Sequence, residues 1–289
     1  MNYTTTLKKN LTIEELGEVK AFSSSISVKK GMVYKLDVYT LTPEPNDFGF
    51  HVLYRKGDVL LGYASVNTFG DAEVEATIIS ENEISLNNIF VALSDDLKGV
   101  NRDLLIIANT NDEMLTEWLK STKSVFVNTE YRMMFDYREY SSPDIDGLLI
   151  HAATPEDSEI IMELDMAAFG LRTGKAPSTR DLQNTRIAYR DGKPIGKLRV
   201  DAYDGVFGIY GLAVIPEYRG KGIGKAFLGG FLNDLIAIGY EKIYLEVEVN
   251  NDRAIRLYKS LGFHTEAVFD YYRIVLNNKH RVGERYDLS

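Results

Sequence analysis

The chain has 289 residues, 45% hydrophobic and 26% charged, the balance of an ordinary globular protein long enough for two domains. Its net charge of −9 argues against nucleic-acid binding, and its lack of cysteine excludes disulfides, thiolate metal sites and a cysteine nucleophile. His51, His151, His264 and His280 show no metal-ligand spacing, no apolar run is long enough to span a membrane, and residues 1–6 carry no basic-then-apolar signal, so a cytoplasmic protein without metal, membrane or nucleic-acid partner is expected.

The acidity is concentrated in the first half: residues 1–145 hold 14 Lys and Arg against 22 Asp and Glu, leaving the remainder nearly neutral. In chain order, residues 58–66 read as one strand of a hairpin and residues 73–79 as a further strand. Leu86, Ile89, Phe90 and Leu93 recur at helical spacing within residues 84–97. Residues 104–108 read as a strand and 112–120 as a helix carrying Trp118. Residues 138–147, polar with Ser-Ser-Pro and a terminal Gly, read as a linker. A strand at 148–153 follows, and Thr154, Pro155 and Asp157 open a helix as cap, first-turn proline and early acid.

The richest stretch is Arg219-Gly220-Lys221-Gly222-Ile223-Gly224. Residues 206–215 before it are short, apolar and rich in strand formers. After it, Phe227, Leu228, Phe231, Leu232, Leu235 and Ile236 keep helical spacing up to Gly239. A strand, a basic glycine turn and a helix start make an anion cradle, because the first helical amides are unpaired and the helix dipole favours negative charge. The Walker pattern fails, since Gly224-Lys225 is followed by Ala226 and Arg219 stands where its first glycine would be. The dinucleotide fingerprint fails as well, with Lys225 or Phe227 in place of its third glycine.

The pattern Arg-x-x-Gly-x-Gly does fit, and here the chain resembles the GCN5-related N-acetyltransferase (GNAT) superfamily. The likeness continues through a strand at 242–249 and through Asn251, Ala254, Tyr258 and Gly262-Phe263, which follow the family's Asn-x-x-Ala-x-x-x-Tyr-x-x-x-Gly-Phe order. The resemblance implies an α/β (α+β) fold with a mixed, mostly antiparallel central sheet flanked by helices. It implies an acetyl-CoA-dependent N-acetyltransferase with acetyl-CoA as cosubstrate and no metal. The pantetheine arm would lie along Leu212, Ala213 and Val214. The amides of Arg219, Gly220, Lys221, Gly222, Ile223 and Gly224 would take the pyrophosphate, Asn251 would steady the cosubstrate, and Tyr258 would protonate the departing thiolate. A phenol suits that task because its ordinary pKa lies near that of a thiol.

The base is less defined. The strand before the loop, residues 207–212, contains no acid, so direct carboxylate catalysis from it is in doubt. Glu246 and Glu248 share a strand face, and Glu246 is the candidate, against the reading of both as solvated acids or ligands of a substrate cation. Glu217 reads as structural, Asp201 and Asp204 as candidate acceptor anchors, and Arg172 and Lys175 as candidate contacts to an acceptor anion or as solvated charges.

The first half repeats the order of elements, with Trp118 in the place of Tyr258. Ser80-Glu81-Asn82-Glu83 replaces the glycine loop, and its carboxylates would repel a pyrophosphate. The expected organisation is therefore a degenerate GNAT-like domain at 1–143 and a catalytic GNAT domain at 147–289, two such folds in tandem. The first-choice acceptor is the primary amine of a small molecule. A protein or peptide N-terminal acetyltransferase, and a non-catalytic acetyl-CoA-binding module, are the alternatives.

Overall fold

The computed structural model describes residues 2–36, 40–42, 49–68, 73–98, 102–144, 146–172, 174, 176–203 and 205–276. Lys175, Asp204 and His280 lie outside the described residues. The first elements are β1 (Tyr3–Lys8), α1 (Ile13–Lys30), β2 (Gly49–Lys56), β3 (Val59–Asn67), β4 (Glu73–Ser80), α2 (Glu83–Asp96), β5 (Asp103–Asn109), α3 (Glu113–Ser121) and β6 (Val125–Phe135). They are followed by β7 (Leu149–Ala152), α4 (Ser158–Phe169), α5 (Thr179–Asn184), β8 (Thr185–Arg190), β9 (Lys193–Tyr203) and β10 (Val206–Val214). The last are α6 (Ile223–Ile238), β11 (Lys242–Glu248), α7 (Asp252–Lys259) and β12 (Phe263–Ile274).

Two compact units result. One comprises residues 1–36, 40–129 and 269–289, the other residues 37–39 and 130–268. Contacts thus divide the chain near Glu130, before the polar stretch expected as a linker, and the chain returns to the first unit at Phe269. The stretch itself is docked rather than free. Tyr140 donates its hydroxyl to Gly229 O (2.9 Å) and Asn233 Oδ1 (2.7 Å) of α6, and a Cβ at Gly229 would stand 2.2 Å from Pro143.

In the first unit the strands run β1-β2-β3-β4-β5-β12. β4 and β5 are parallel, while β5 pairs antiparallel with residues 269–274 of β12, from Asn109↔Phe269 to Leu104↔Ile274. Helix α1 starts where Thr12 and Glu15 cap each other's backbone amides, and it stops at Gly31 in the left-handed region (φ 63°) that glycine adopts without strain. It buries Leu16, Val19 and Ile26 against Leu53, Leu60, Tyr63 and Ile79. α2 covers the other face with Leu86, Ile89 and Leu93. Each such fully buried side chain contributes roughly 1.5–3 kcal/mol.

His51 lies in this sheet, 4% exposed, with Nδ1 2.8 Å from the Tyr63 hydroxyl. Burial lowers its pKa from the ordinary 6.5 to about 4, partly opposed by the charge of Glu15. Above pH 6.5 the imidazole is neutral whether the chain is folded or not. Below that, the unfolded chain takes up the proton first, so stability falls between pH 6.5 and about 4, by an amount on the order of 3 kcal/mol. Thermal unfolding at pH 7.5 and pH 5 should show a smaller drop for His51→Gln than for the parent. An equal drop would place the acid sensitivity elsewhere.

In the second unit the order is β12-β6-β11-β10-β9-β8-β7. β10 and β11 are parallel, and β11–β6, β10–β9, β9–β8 and β8–β7 are antiparallel. Asp191 (φ 51°) and Gly192 (φ 72°) make the tight turn between β8 and β9. On one face α6 buries Phe227, Leu228, Phe231, Leu232 and Leu235 against Met133, Ile209, Ile243, Leu245 and Val247. The opposite face carries α4, which packs Ile161 and Leu164 on Ile187, and Lys197 reaches Asp165 of α4 at 2.8 Å.

Candidate active site

The site begins where two parallel strands part. β10 pairs with β11 from Val206↔Lys242 to Ile209↔Leu245. Beyond that rung β10 runs on to Val214, while β11 continues to Glu248 paired with β6. The β10–β9 register shifts between Tyr210 and Ala213, and Gly211 there has φ 56°, a bulge that bends the strand outward. Tyr210, Leu212, Ala213 and Val214 therefore follow the last β10–β11 rung, on the edge where the two strands part.

The loop follows directly. A single turn of 3-10 helix (Pro216–Tyr218) leads to Arg219, then Gly220 and Gly222, both at φ 77°, a conformation that suits glycine alone. No side chain caps α6, so its first-turn amides face the loop. A Cβ at Gly220 or Gly222 would meet nothing within 4 Å. Ile223 is buried and pins the turn to the core. Gly224 serves packing, since its Cβ would stand 3.0 Å from Leu257 of α7.

The two cations of the loop differ in role. Arg219 donates Nε to Val214 O (2.7 Å) and Nη2 to Ala168 O (2.5 Å), so its guanidinium ties the end of β10 to the end of α4. Its contribution to the cradle is therefore its main chain. Lys221 lies over the Tyr218 ring, 5.5 Å from the centroid, and stays exposed beside the glycines.

Asn251 caps α7, its side chain accepting from Ala254 N (3.1 Å). Seven residues on, Tyr258 packs against the core that holds α6, 6.0 Å from the Phe263 ring. Its hydroxyl has no hydrogen-bond partner among the described residues, and burial pushes its pKa up to about 12. The match between phenol and thiol expected from ordinary values gives way to a proton held more firmly.

Across the sheet, on the face away from α6, the polar groups form pairs. Glu246 accepts from Arg132 Nε (3.2 Å) and Nη2 (3.0 Å), both side chains being buried. Arg132 also lies 4.5 Å from the centroid of the Tyr244 ring. The structure thus holds the candidate base Glu246 in a buried ion pair with Arg132. Asp201 is equally engaged, bound by Asn184 Nδ2 (2.8 Å) and Arg199 Nη2 (3.3 Å) at 3% exposure, and so is no free acceptor anchor. Glu217, Glu248 and Arg172 are exposed.

The first unit offers an instructive contrast. Its β4 and β5 also part, after Thr77↔Ile107. There the protein's own chain crosses the parted strands: Thr77 Oγ1 donates to Lys35 O (2.7 Å) and Asn109 Nδ2 to Val33 O (2.8 Å). Met32 and Tyr34 are buried alongside, and Lys30 holds buried Asp112 at 3.0 Å. The start of α2 is closed as well, because Asn82 and Ser85 bond each other's amides and Glu81 and Glu83 add negative charge. Trp118 donates to Asn87 Oδ1 (2.8 Å) and packs edge-on against Phe90.

Comparison with known proteins locates the likeness. The Acetyltransferase (GNAT) family matches residues 152–263. A mycothiol acetyltransferase of Streptomyces avermitilis is 27% identical over 256 residues, 77% of this chain and 79% of that protein. A GCN5-related N-acetyltransferase from Sphaerobacter thermophilus superposes with a TM-score of 0.73 at 14% identity, over 94% of this chain and 96% of its own. A tandem GNAT protein from the clavulanic acid biosynthesis pathway superposes with a TM-score of 0.71 at 12% identity, over 96% of this chain and the whole of its own. Both structural likenesses span both halves of the chain and show a GNAT fold.

Proposed function

Since the chain carries a GNAT N-acetyltransferase domain, we propose that its second unit moves the acetyl group of acetyl-CoA to the primary amine of a small molecule by direct attack on the thioester. The amine nitrogen bonds the carbonyl carbon, the carbon–sulfur bond breaks, the nitrogen releases its proton to water, and the sulfur receives one from the Tyr258 hydroxyl, which regains a proton from solvent. The supporting observation is the parted β10–β11 edge running straight into an uncapped helix start with two left-handed glycines. That arrangement suits a long arm ending in a pyrophosphate. Asn251 assists by fixing α7, on which Tyr258 sits.

In this reading the first unit is a degenerate copy that does not bind the cosubstrate and the second unit is the catalytic part. The filled crevice at residues 33–35 and the capped, acidic start of α2 support that division. The mycothiol acetyltransferases among the relatives make a mycothiol-related amine the first acceptor to try. The test is calorimetric titration with acetyl-CoA, followed by release of free coenzyme A in the presence of amino acid derivatives, amino sugars and polyamines. One binding site per chain and acceleration by an amine are expected. Two equivalent sites would overturn the silent first copy, and no binding would overturn the proposal.

A further inference from the structure

The acid-free strand before the loop carries a pair of tyrosines that the chemistry above leaves without a task. Tyr210 of β10 and Tyr244 of β11 bring their hydroxyl oxygens to 2.8 Å, with their rings edge to face. They meet above Gly208, where a Cβ would stand 2.7 Å from the Tyr210 hydroxyl and 2.8 Å from that of Tyr244. The missing side chain at 208 is thus what gives the two phenols their seat. Guanidinium groups flank the pair: Arg132 lies 4.5 Å from the Tyr244 ring centroid and Arg199 lies 5.1 Å from that of Tyr210. Arg199 is fixed in turn by Asp181 and Asp201.

The placement is informative. Ile209↔Leu245 is the last rung before the strands part, so the pair stands at the root of the parted edge. Strand alternation puts Gly208, Tyr210 and Tyr244 on the face away from Ile209, Ile243 and the α6 core, whereas Tyr258 packs with that core. A thioester held in the opening would have the leaving-group donor on one side and the phenol pair on the other. Tyr244 is 4% exposed and Tyr210 is half-buried, so Tyr210 meets the incoming molecule and Tyr244 holds its hydroxyl in place.

We infer that the Tyr210–Tyr244 pair, seated over Gly208, positions the acceptor amine: the Tyr210 oxygen accepts a hydrogen bond from the attacking nitrogen, and Tyr244 is a positioning residue acting through it. The inference rests on the acetyl-transfer reading above. Steady-state transfer to hydroxylamine, a small amine uncharged at neutral pH, tests it without knowledge of the natural acceptor. Tyr210→Phe should raise KM for hydroxylamine roughly tenfold, the worth of one hydrogen bond, with kcat changed by less than about threefold. Gly208→Ala keeps both phenols but displaces their hydroxyls, and should raise KM in the same way. Calorimetric affinity for acetyl-CoA should be the same in both variants as in the parent. Unchanged KM in both, a fall in kcat alone, or a parallel loss of acetyl-CoA affinity would overturn the assignment. No binding of acetyl-CoA by the parent would instead overturn the acetyl-transfer reading, and the inference with it.

Discussion

Gly222→Glu is expected to abolish acetyl-CoA binding and leave the protein folded. The position is at φ 77°, so any side chain there costs on the order of 1–2 kcal/mol of local strain. It faces open space, with nothing within 4 Å of a Cβ, so no packing is broken. The decisive effect is electrostatic. A carboxylate placed at the mouth of an uncapped helix satisfies the amides meant for the phosphates and repels them. One such charge pair about 4 Å apart is worth ~4 kcal/mol near a protein surface, so affinity should fall by a hundredfold or more. Gly222→Ala carries the strain without the charge and should lose about tenfold or less. Calorimetry with acetyl-CoA, beside thermal unfolding of each variant, separates the two effects. Binding by Gly222→Glu within about threefold of the parent would place the pyrophosphate elsewhere.

Tyr258→Phe should lower kcat by about a hundredfold with little change in acetyl-CoA affinity, the range general-acid groups supply. The hydroxyl is unpartnered among the described residues and the ring is held by the core, so removing one oxygen disturbs no folded contact. Because burial pushes its pKa up to about 12, the group keeps its proton throughout the working range. Activity should therefore show no basic limb belonging to Tyr258 up to about pH 10, in the parent or by comparison with the variant. A limb that disappears in Tyr258→Phe would show that a nearby charge offsets the effect of burial. Unchanged turnover in the variant would remove Tyr258 from the chemistry.

The loop and its flanks are legible in the sequence because their signals are local. Glycines at left-handed positions, an Asn at a helix start and an apolar period of 3.6 each act within a few residues, and together they give the helix at Ile223–Ile238 and the cap at Asn251. Partnerships across the sheet are hidden. Glu246 reads as a free acid until β6 supplies Arg132 from 114 positions away, and the pattern of residues 125–135 does not announce that strand. Alternation alone puts Gly208 and Tyr210 on one face. That Tyr244 joins them depends on the Gly208↔Tyr244 register, which the packing of the whole unit sets. The guanidinium of Arg219 is a further case. Its two carbonyl partners, Val214 and Ala168, are on different elements, and neither position marks itself in the sequence.

The return of residues 269–274 to pair with β5 has a consequence for the order in which the protein can be made. Every other strand registered in the first unit's sheet emerges from the ribosome early, yet β5 keeps one bare edge until almost the whole second unit has been synthesised. During that interval Leu104, Leu105, Ile106 and Ile107 form an apolar strand with an open hydrogen-bonding side, the kind that pairs with strangers. The half of the chain that starts first is thus the half that finishes last, with one strand edge open to mispairing until it does.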